Sequence, residues 1–238
     1  MILKLILLSL VTYATAVIKT ELGFKWTQFD NVIMSTSVLY EVSNLRGRIW
    51  CVARCLQDHA CISVFYRRQY RRCQFHDVLF MSPKDGEQET GTRYYSVTTN
   101  ACPSHYVHNR LLNICYQLHL NKINRNEGLA DCTTRGEHLV VIDSEDKQVH
   151  LLKQISSSSE NLEHNYFIDG SDAATEGQWI LHDGRPMTYF AWRPGFPANV
   201  STAHDYIIES KLIQRTSIYV WQDRASKDTK YYICQKDL

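Results

Sequence analysis

The segment Trp192–Tyr206, WRPGFPANVSTAHDY, decides how this chain is interpreted, and it is read together with the triplet Trp221-Gln222-Asp223. The motifs on either side of the segment indicate the fold class. Its own side chains bear on what the protein binds.

The whole-chain numbers exclude several classes of protein. The 238 residues suffice for one large domain or two modest ones, and a hydrophobic content of 44% is ordinary for a globular protein. The net charge of +1 gives no overall field that would favour nucleic acid, so no nucleic-acid partner is expected.

The N-terminus has the pattern of a secretory signal peptide over residues 1–16. Lys4 precedes the short apolar run Leu5–Val11, and Ala14-Thr15-Ala16 offers a small-residue cleavage site. The mature chain would then begin at Val17. A membrane anchor is the alternative, but a spanning helix takes roughly 20 apolar residues. We therefore expect a secreted, extracellular protein without a membrane span.

The eight cysteines fall into two groups of four, which suits two disulfide-stabilised domains in an oxidising compartment. Zinc binding by cysteine is the alternative, but the second group has no closely spaced pair. The groups are Cys51, Cys55, Cys61 and Cys73, followed by Cys102, Cys115, Cys132 and Cys234.

Residues 102–238 carry an ordered series of motifs. Two helices are predicted, Asn126–Arg135 and Glu145–Ile155, the second with Ser144 as a candidate cap. The other motifs are Cys102-Pro103, Cys115-Tyr116, Tyr166-Phe167-Ile168-Asp169-Gly170, Glu176-Gly177-x-Trp179, Tyr189-x-x-Trp192, Trp221-Gln222-Asp223 and Tyr232-Ile233-Cys234. In this order they resemble a long-form C-type lectin-like domain.

The resemblance implies an α+β fold with two helices, two small antiparallel sheets and a long loop region. It also implies the disulfides Cys102–Cys115 and Cys132–Cys234. The family's further bridge would join positions 206 and 226, which here are Tyr206 and Ser226. Both cysteines are absent together, so no thiol is left over, and packing by Tyr206 could compensate.

The resemblance also assigns roles within the ligand loop. The sugar-binding calcium of the family takes oxygen ligands from positions that here hold Phe196-Pro197-Ala198, His204 and Gln222-Asp223. Phenylalanine, alanine and neutral histidine supply no side-chain oxygen, whereas calcium needs six to eight oxygen ligands. We therefore expect the primary calcium site to be lost and no cofactor to be required. The peptide bond before Pro197 is expected to be cis, as in the family.

An auxiliary calcium position is better preserved. By register it would use Asp172, Glu176, Asn199 and Asp205, although Asp172 and Glu176 could equally organise a turn. Asn199-Val200-Ser201 is also an N-glycosylation sequon. A glycan on Asn199 would remove that ligand and partly cover the loop.

The first group of cysteines suggests a second, smaller domain at residues 21–98. Ser43 is a candidate cap for a helix over Leu45–Leu56, which a hairpin follows. The motifs Cys51-x3-Cys55-Leu56, Cys61-x3-Phe65 and Cys73-x-Phe75 resemble a PAN/apple domain, a small helix-on-sheet fold. The resemblance implies the disulfides Cys51–Cys73 and Cys55–Cys61.

The hairpin turn of this domain contains a candidate anion patch. Four guanidinium groups, those of Arg67, Arg68, Arg71 and Arg72, occur within six residues. Such a patch could bind a sulfated glycan, or it could be a solvated turn that discourages edge-to-edge pairing of strands.

Together these features predict a recognition protein that binds an extracellular glycan or a protein ligand. A calcium-dependent lectin and a structural or adhesive matrix protein are the alternatives. Nucleophile-elbow, zinc-protease and phosphate-loop motifs are absent from the sequence, so enzymatic activity is not expected.

Overall fold

The computed structural model describes residues 23–198, 204–211 and 219–238. The chain divides into two compact units, of which the first ends at Asn113 and the second begins at Ile114. The expected signal peptide, residues 1–16, and the sequon residue Asn199 lie outside the described residues. Within the three described segments, no helix is long and apolar enough to cross a membrane.

The first unit contains one helix and eight strands. They are β1 Gly23–Trp26, β2 Val32–Ile33, β3 Val38–Val42, α1 Arg48–Gln57, β4 Ser63–Arg67, β5 Arg72–His76, β6 Glu87–Gln88, β7 Thr92–Val97 and β8 Val107–Asn109. The helix packs on an antiparallel sheet of five strands in the order β1-β7-β4-β5-β3, and β2 and β6 form a separate pair.

Helix α1 is bound covalently to its surroundings. Cys51 and Cys55 lie four residues apart and are therefore on one buried face of the helix, together with Val52. Cys51 is bonded to Cys73 of β5, and Cys55 is bonded to Cys61. The 22-residue separation of the first pair corresponds to about 3 kcal/mol of loop-closure entropy.

The predicted start of this helix was wrong. The helix begins at Arg48 after Gly47, which makes no side-chain cap and has a φ of 154°, a backbone conformation that favours glycine. Ser43 does not cap α1, and its hydroxyl accepts a hydrogen bond from Nε of Arg72 at 3.2 Å. The Ser43 hydroxyl, which local sequence predicted as the helix cap, is therefore bonded to a residue distant in sequence instead.

The first unit continues past residue 98. The Arg110 guanidinium donates three hydrogen bonds of 2.7 Å each to the carbonyls of Cys55, Asp58 and Cys61, at and beyond the C-terminus of α1. The ring of His105 packs edge-on against Trp26, with centroids 5.4 Å apart. These contacts join residues 105–110 to the helix and to β1.

The second unit contains two helices and one connected sheet. Its elements are β9 Ile114–Asn124, α2 Arg125–Thr134, β10 His138–Leu139, α3 Glu145–Ser156, β11 Tyr166–Ser171, β12 Tyr206–Lys211, β13 Tyr219–Arg224 and β14 Thr229–Lys236. The described strands of this unit follow the order β13-β12-β11-β14-β9, with β10 also paired to β14. Two separate sheets were expected. Instead β11 and β14 pair in parallel and join the strands into one sheet.

The helices of the second unit form where their capping signals lie. Asn124 caps α2 in a capping box with Glu127, and the Ser144 side chain accepts from the backbone N–H of Lys147 at the start of α3. Cys132 of α2 is bonded to Cys234 of β14 across 102 residues. The bridge lies in a buried cluster that contains Cys132, Leu139, Phe167, Ile208, Tyr232 and Cys234.

Cys102 and Cys115 are also disulfide-bonded, and no free cysteine occurs among the described residues.

Candidate functional site

The ligand loop is attached to strand β13 through backbone hydrogen bonds. The N–H of Arg193 donates to the Trp221 carbonyl at 2.9 Å, and the N–H of Trp221 donates to the Ala191 carbonyl at 2.8 Å. A tight turn follows, in which Phe196 N–H donates to the Arg193 carbonyl at 2.9 Å and Gly195 has a φ of 85°. Gly195 suits this left-handed conformation because it has no Cβ.

The Phe196–Pro197 peptide bond is cis, as the resemblance implied. Residues 199–203 are outside the described part of the chain, which resumes at His204. Described residues of the site therefore come from the turn before this gap and from strands β12 and β13.

Of the side-chain oxygens that remain at the primary calcium position, all but Oδ1 of Asp223 are already engaged within the protein. The Gln222 side-chain oxygen accepts a short hydrogen bond from the Arg224 guanidinium. One carboxylate oxygen of Asp223 accepts from the backbone N–H of Ala198 at 3.1 Å. Nδ1 of His204 lies 3.9 Å from the same carboxylate oxygen. A guanidinium beside Gln222 and a ring nitrogen in the place of an oxygen do not fit calcium.

Two buried carboxylate oxygens nevertheless have no partner among the described residues. They are Oδ1 of Asp172 and Oδ1 of Asp223, and both residues are almost completely buried. Burial raises the pKa of Asp172, and the negative charges of Asp205 and Asp223 raise it further. Three carboxylates are thus close enough to repel one another, an arrangement that a cation or a proton would stabilise.

The auxiliary calcium position is therefore partly assembled. Asp172 also accepts the N–H of Gly177 at 2.9 Å, which orders the turn that carries Glu176. Glu176 is exposed, and Asn199 lies outside the described residues. Of the four expected ligands, Asp172 and Asp205 lie close enough to interact electrostatically. Asp223, which was not among the ligands expected from sequence, joins this group.

An aromatic and cationic surface lies on the same loop. The guanidinium carbon of Arg193 lies 5.9 Å from the centroid of the Phe196 ring, and that of Arg224 lies 5.7 Å from the same centroid. Phe196 itself is half-buried. Phe190 is 41% exposed and stacks on Trp192 at 6.0 Å. Phe190 could not be singled out from sequence, because it lies two residues before the segment Trp192–Tyr206.

Trp179, Trp192 and Trp221 pack against one another beside the ligand loop. Trp221 is fully buried, Trp179 is 6% exposed and Trp192 is half-buried between them. The Trp221 indole N–H lies 3.0 Å from Glu209 and 3.0 Å from Gln148. Two of the three are therefore core residues.

Glu209 is a completely buried carboxyl beneath the loop. The Gln148 amide lies 3.0 Å from each of its oxygens, and one of these oxygens is also 3.0 Å from the Trp221 indole nitrogen. Burial raises the pKa of Glu209 to about 7 despite these hydrogen bonds. The sequence offers no sign of this, since Glu209 lies in an ordinary strand pattern.

A cation replaces the absent disulfide between positions 206 and 226. The Arg125 guanidinium lies 4.5 Å from the Tyr206 ring centroid, and the Arg125 backbone N–H donates to the Ser226 carbonyl at 3.1 Å. Tyr206 also packs against the core cluster around Cys132. Arg125 therefore links the two positions by non-covalent contacts.

The arginine patch of the first unit is only partly free. Arg67 forms a two-pronged ion pair with Glu89 at 2.6–2.8 Å and a further one with Glu41 at 3.2 Å. Arg72 pairs with Glu41 at 3.0 Å. Arg68 lies at the edge of a cavity of about 710 Å³, which Trp50 also lines. The four guanidiniums do not act as one positive patch, because Glu41 and Glu89 from other segments of the unit neutralise two of them.

Comparison with known proteins agrees with this fold. Residues 121–236 match the family described as "Lectin C-type domain". Perlucin of Haliotis laevigata is 28% identical over 138 residues, which are 57% of this chain and 83% of that protein. Human C-type lectin domain family 4 member E is 33% identical over 148 residues, 61% of this chain and 63% of the relative.

Solved structures match the same part of the chain. The C-type lectin domain of murine dendritic cell inhibitory receptor 2 in complex with N-glycan is 26% identical, with a TM-score of 0.49 and coverage of 58% of this chain and 99% of that one. A calcium-independent type II antifreeze protein is 21% identical, with a TM-score of 0.48 and coverage of 57% and 94%.

Proposed function

Because residues 121–236 form a C-type lectin domain, we propose that this protein is an extracellular recognition protein that binds carbohydrate without calcium at the primary sugar position. The observation that carries the proposal is the state of that position. The Gln222 oxygen accepts from Arg224, Oδ2 of Asp223 accepts from Ala198, and His204 stands where the family has an oxygen ligand. The one unpartnered oxygen that is left, Oδ1 of Asp223, is too few for calcium.

The chemistry of the loop favours an acidic or sulfated glycan. Guanidinium groups bind carboxylate and sulfate through charge-assisted hydrogen bonds, and an aromatic ring packs against the C–H face of a sugar. Arg193 and Phe196 offer both groups within one turn. Among the described residues, the Arg193 guanidinium contacts the Phe196 ring and has no acidic partner. A protein ligand at this surface is the second candidate.

A glycan array with and without a chelator tests the proposal. We expect binding to anionic glycans that persists with chelator, is lost in Arg193→Ala and Phe196→Ala, and is retained in Arg185→Ala, an exposed arginine of the same unit. Binding that requires calcium would instead support a calcium-dependent lectin. If no glycan binds, a protein ligand or an adhesive matrix role becomes the better explanation.

The auxiliary calcium position is a separate proposal. The unpartnered oxygens of Asp172 and Asp223 support a cation there, held also by Asp205 and by the exposed Glu176. Calorimetric titration with Ca²⁺ should then show binding that Asp172→Asn abolishes. Heat changes equal to those of buffer would exclude a calcium site at these residues.

The first unit is proposed to contain a PAN/apple-like domain over residues 21–98, on which residues 105–110 also pack. The C-type lectin-like domain is proposed to span residues 102–238. A helix bonded through Cys51–Cys73 and Cys55–Cys61 to its neighbouring sheet supports this assignment. Limited proteolysis of the full chain should cut first at residues 99–101. Early cleavage within β3–β5 would argue against a compact domain over 21–98.

Secretion and glycosylation are proposed from the sequence pattern alone. A signal peptide cleaved after Ala16 predicts a mature N-terminus at Val17, and the sequon at Asn199 predicts a glycan there. N-terminal sequencing and the mass change on enzymatic deglycosylation of protein from a eukaryotic host test both.

Arg68 and Arg71 are the remaining candidates for a sulfated-glycan contact in the first unit. Unchanged heparin retention in their double alanine variant would exclude this contact.

A further inference from the structure

The cavity of about 710 Å³ in the first unit has the size of a small-ligand pocket. Its walls come from three places, which are the start of α1, the end of β4 with the turn that follows it, and the start of β7. A second cavity of about 260 Å³ shares Arg48, Ile49 and Arg93 with it, so the two are contiguous. We call the larger one the helix–sheet cavity.

Arginines from segments that are distant in sequence line the helix–sheet cavity. Arg46 and Arg48 lie at the start of α1, whereas Arg68 follows β4 and Arg93 belongs to β7. The strand register accounts for part of this convergence. Tyr66 of β4 is paired directly with Arg93 of β7, so their side chains lie on the same face of the sheet. Folding therefore gathers four guanidinium groups, of which only Arg68 belongs to the arginine turn.

Most of this positive charge is not neutralised by the described part of the chain. No Asp or Glu of the described segments lines the cavity, and the first turn of α1 contains no acidic residue. Of the four arginines, only Arg93 forms an ion pair with a described residue, at 3.5 Å from Oδ1 of Asp30. Arg46, Arg48 and Arg68 therefore keep guanidinium groups that an anionic ligand could engage through charge-assisted hydrogen bonds.

Aromatic side chains supply the apolar part of the cavity wall. Trp50 of α1 is 58% exposed, although tryptophan is mostly buried in folded proteins. Tyr66 lines the same cavity and is half-buried. Aromatic rings pack against the C–H face of a sugar, and guanidinium groups bind its sulfates. The combination suits a sugar that carries several anionic groups.

The pairing of the neighbouring strands argues against a peptide as the occupant. β4 is paired on both sides, with β5 and β7, and β7 is paired with β4 and β1. An extended peptide that adds to a sheet gains its affinity from backbone hydrogen bonds at a free strand edge. Neither strand offers such an edge here. Charged side chains on several walls instead suit a compact ligand whose anionic groups point in several directions.

We propose that the helix–sheet cavity binds a sulfated oligosaccharide. The guanidinium groups of Arg46, Arg48 and Arg68 hold its sulfates, and Trp50 packs against a sugar ring. This inference rests on the sulfated-glycan contact proposed above for Arg68 and gives that contact a built site. It does not depend on the ligand loop of the C-type lectin domain, so this chain has two separate glycan sites.

Calorimetric titration with a heparin-derived tetrasaccharide tests the proposal. The titration uses the oxidised full chain with Arg193→Ala and Phe196→Ala, so that the ligand loop does not contribute. We expect one saturable site whose Kd rises with salt, because sulfate–guanidinium attraction is screened. The fully desulfated tetrasaccharide should show no saturable binding.

Variants of the lining residues should weaken this binding. Arg46→Ala and Arg48→Ala together should raise the Kd about tenfold or more, since each removes hydrogen bonds to a charged group. Trp50→Ala should raise it about fivefold through loss of packing on the sugar ring. All three side chains are exposed, and a thermal unfolding midpoint equal to that of the parent chain shows that each variant is folded.

A matched control separates this site from general charge attraction. Arg54→Ala removes an exposed arginine of the same helix that does not line the helix–sheet cavity, and it should leave the Kd unchanged. Absence of saturable binding, or an equal loss in Arg54→Ala, would overturn the proposal.

Two further outcomes would place the contact elsewhere and overturn the proposal equally. A Kd that is unchanged by Arg46→Ala with Arg48→Ala, but raised by Arg71→Ala, would confine binding to the arginine turn. Displacement of the tetrasaccharide by hexaglutamate at a lower concentration than by unlabelled tetrasaccharide would assign the cavity to an acidic peptide. Neither result bears on the ligand loop, which the glycan array tests separately.

Discussion

Replacement of Glu209 by glutamine should remove a pH dependence from the stability of the second unit. Glu209 is completely buried against Gln148 and Trp221, and burial raises its pKa from 4.5 to about 7. The folded state therefore binds this proton more tightly than the unfolded state does. The free energy of unfolding must fall as the pH rises from about 4.5 to about 7, and the loss is complete above that range.

The size of the effect follows from the two pKa values. The difference between 4.5 and about 7 corresponds to about 3 kcal/mol at the plateau, of which about 2–3 kcal/mol is lost between about pH 5 and about pH 8. Glutamine stays neutral throughout this range. It rearranges the hydrogen bonds to Gln148 and Trp221, at a cost of about 1 kcal/mol that does not depend on pH.

Urea denaturation of the oxidised full chain in chelator, at a series of pH values, measures both quantities. Amide hydrogen exchange in β12 and β13 assigns the change to the second unit. Glu209→Gln should be less stable than wild type near pH 4 and more stable near pH 8. Glu176→Gln, at an exposed position, serves as the control and should follow the wild-type curve.

Parallel pH curves for wild type and Glu209→Gln would refute this reasoning. They would mean that the carboxyl titrates at its ordinary pKa in the folded state, or that water reaches it. A wild-type stability that rises between about pH 5 and about pH 8 in the second unit would contradict the sign of the argument.

Three further predictions concern other parts of the chain. Burial lowers the pKa of His76 to about 4, so the first unit should lose about 3 kcal/mol on acidification from about pH 6.5 to about pH 4; His76→Gln should flatten that slope in amide exchange of β4 and β5, and an unchanged slope would exclude His76 as its cause. Removal of the Cys132–Cys234 bridge by a double alanine variant should lower the free energy of unfolding by about 2–5 kcal/mol in urea, and a smaller loss would indicate a compact unfolded state. Arg125→Gln removes the cation–π contact with Tyr206 and should cost about 1 kcal/mol by thermal unfolding, an effect that should disappear in a Tyr206→Leu background if the contact is its origin.

The C-type lectin domain could be predicted because its signals are local and occur in order. Its two predicted helices, Asn126–Arg135 and Glu145–Ile155, agree within one residue with Arg125–Thr134 and Glu145–Ser156. Capping residues and apolar periodicity act within a few residues of each helix end. The family match over residues 121–236 confirms that domain.

Long-range contacts account for what could not be predicted. Ser43 has the sequence context of a helix cap, but its hydroxyl accepts a hydrogen bond from Arg72, 29 residues away. The arginine turn appeared strongly cationic, but Glu41 and Glu89 neutralise two of its side chains. The parallel pairing of β11 with β14 joins Tyr166 to Tyr231, about half the length of the second unit away, and pairing of this kind leaves no local pattern.

At the ligand loop, residue types alone establish which side-chain atoms are available. Phenylalanine at 196, alanine at 198 and histidine at 204 supply no side-chain oxygen, wherever the chain places them. Which of the remaining oxygens are free depends instead on how the chain folds. The Gln222 oxygen is engaged by Arg224, while an oxygen of Asp172 and another of Asp223 are buried without a partner among the described residues. Chemical identity belongs to each residue separately, but burial and pairing depend on chain segments that meet only after folding.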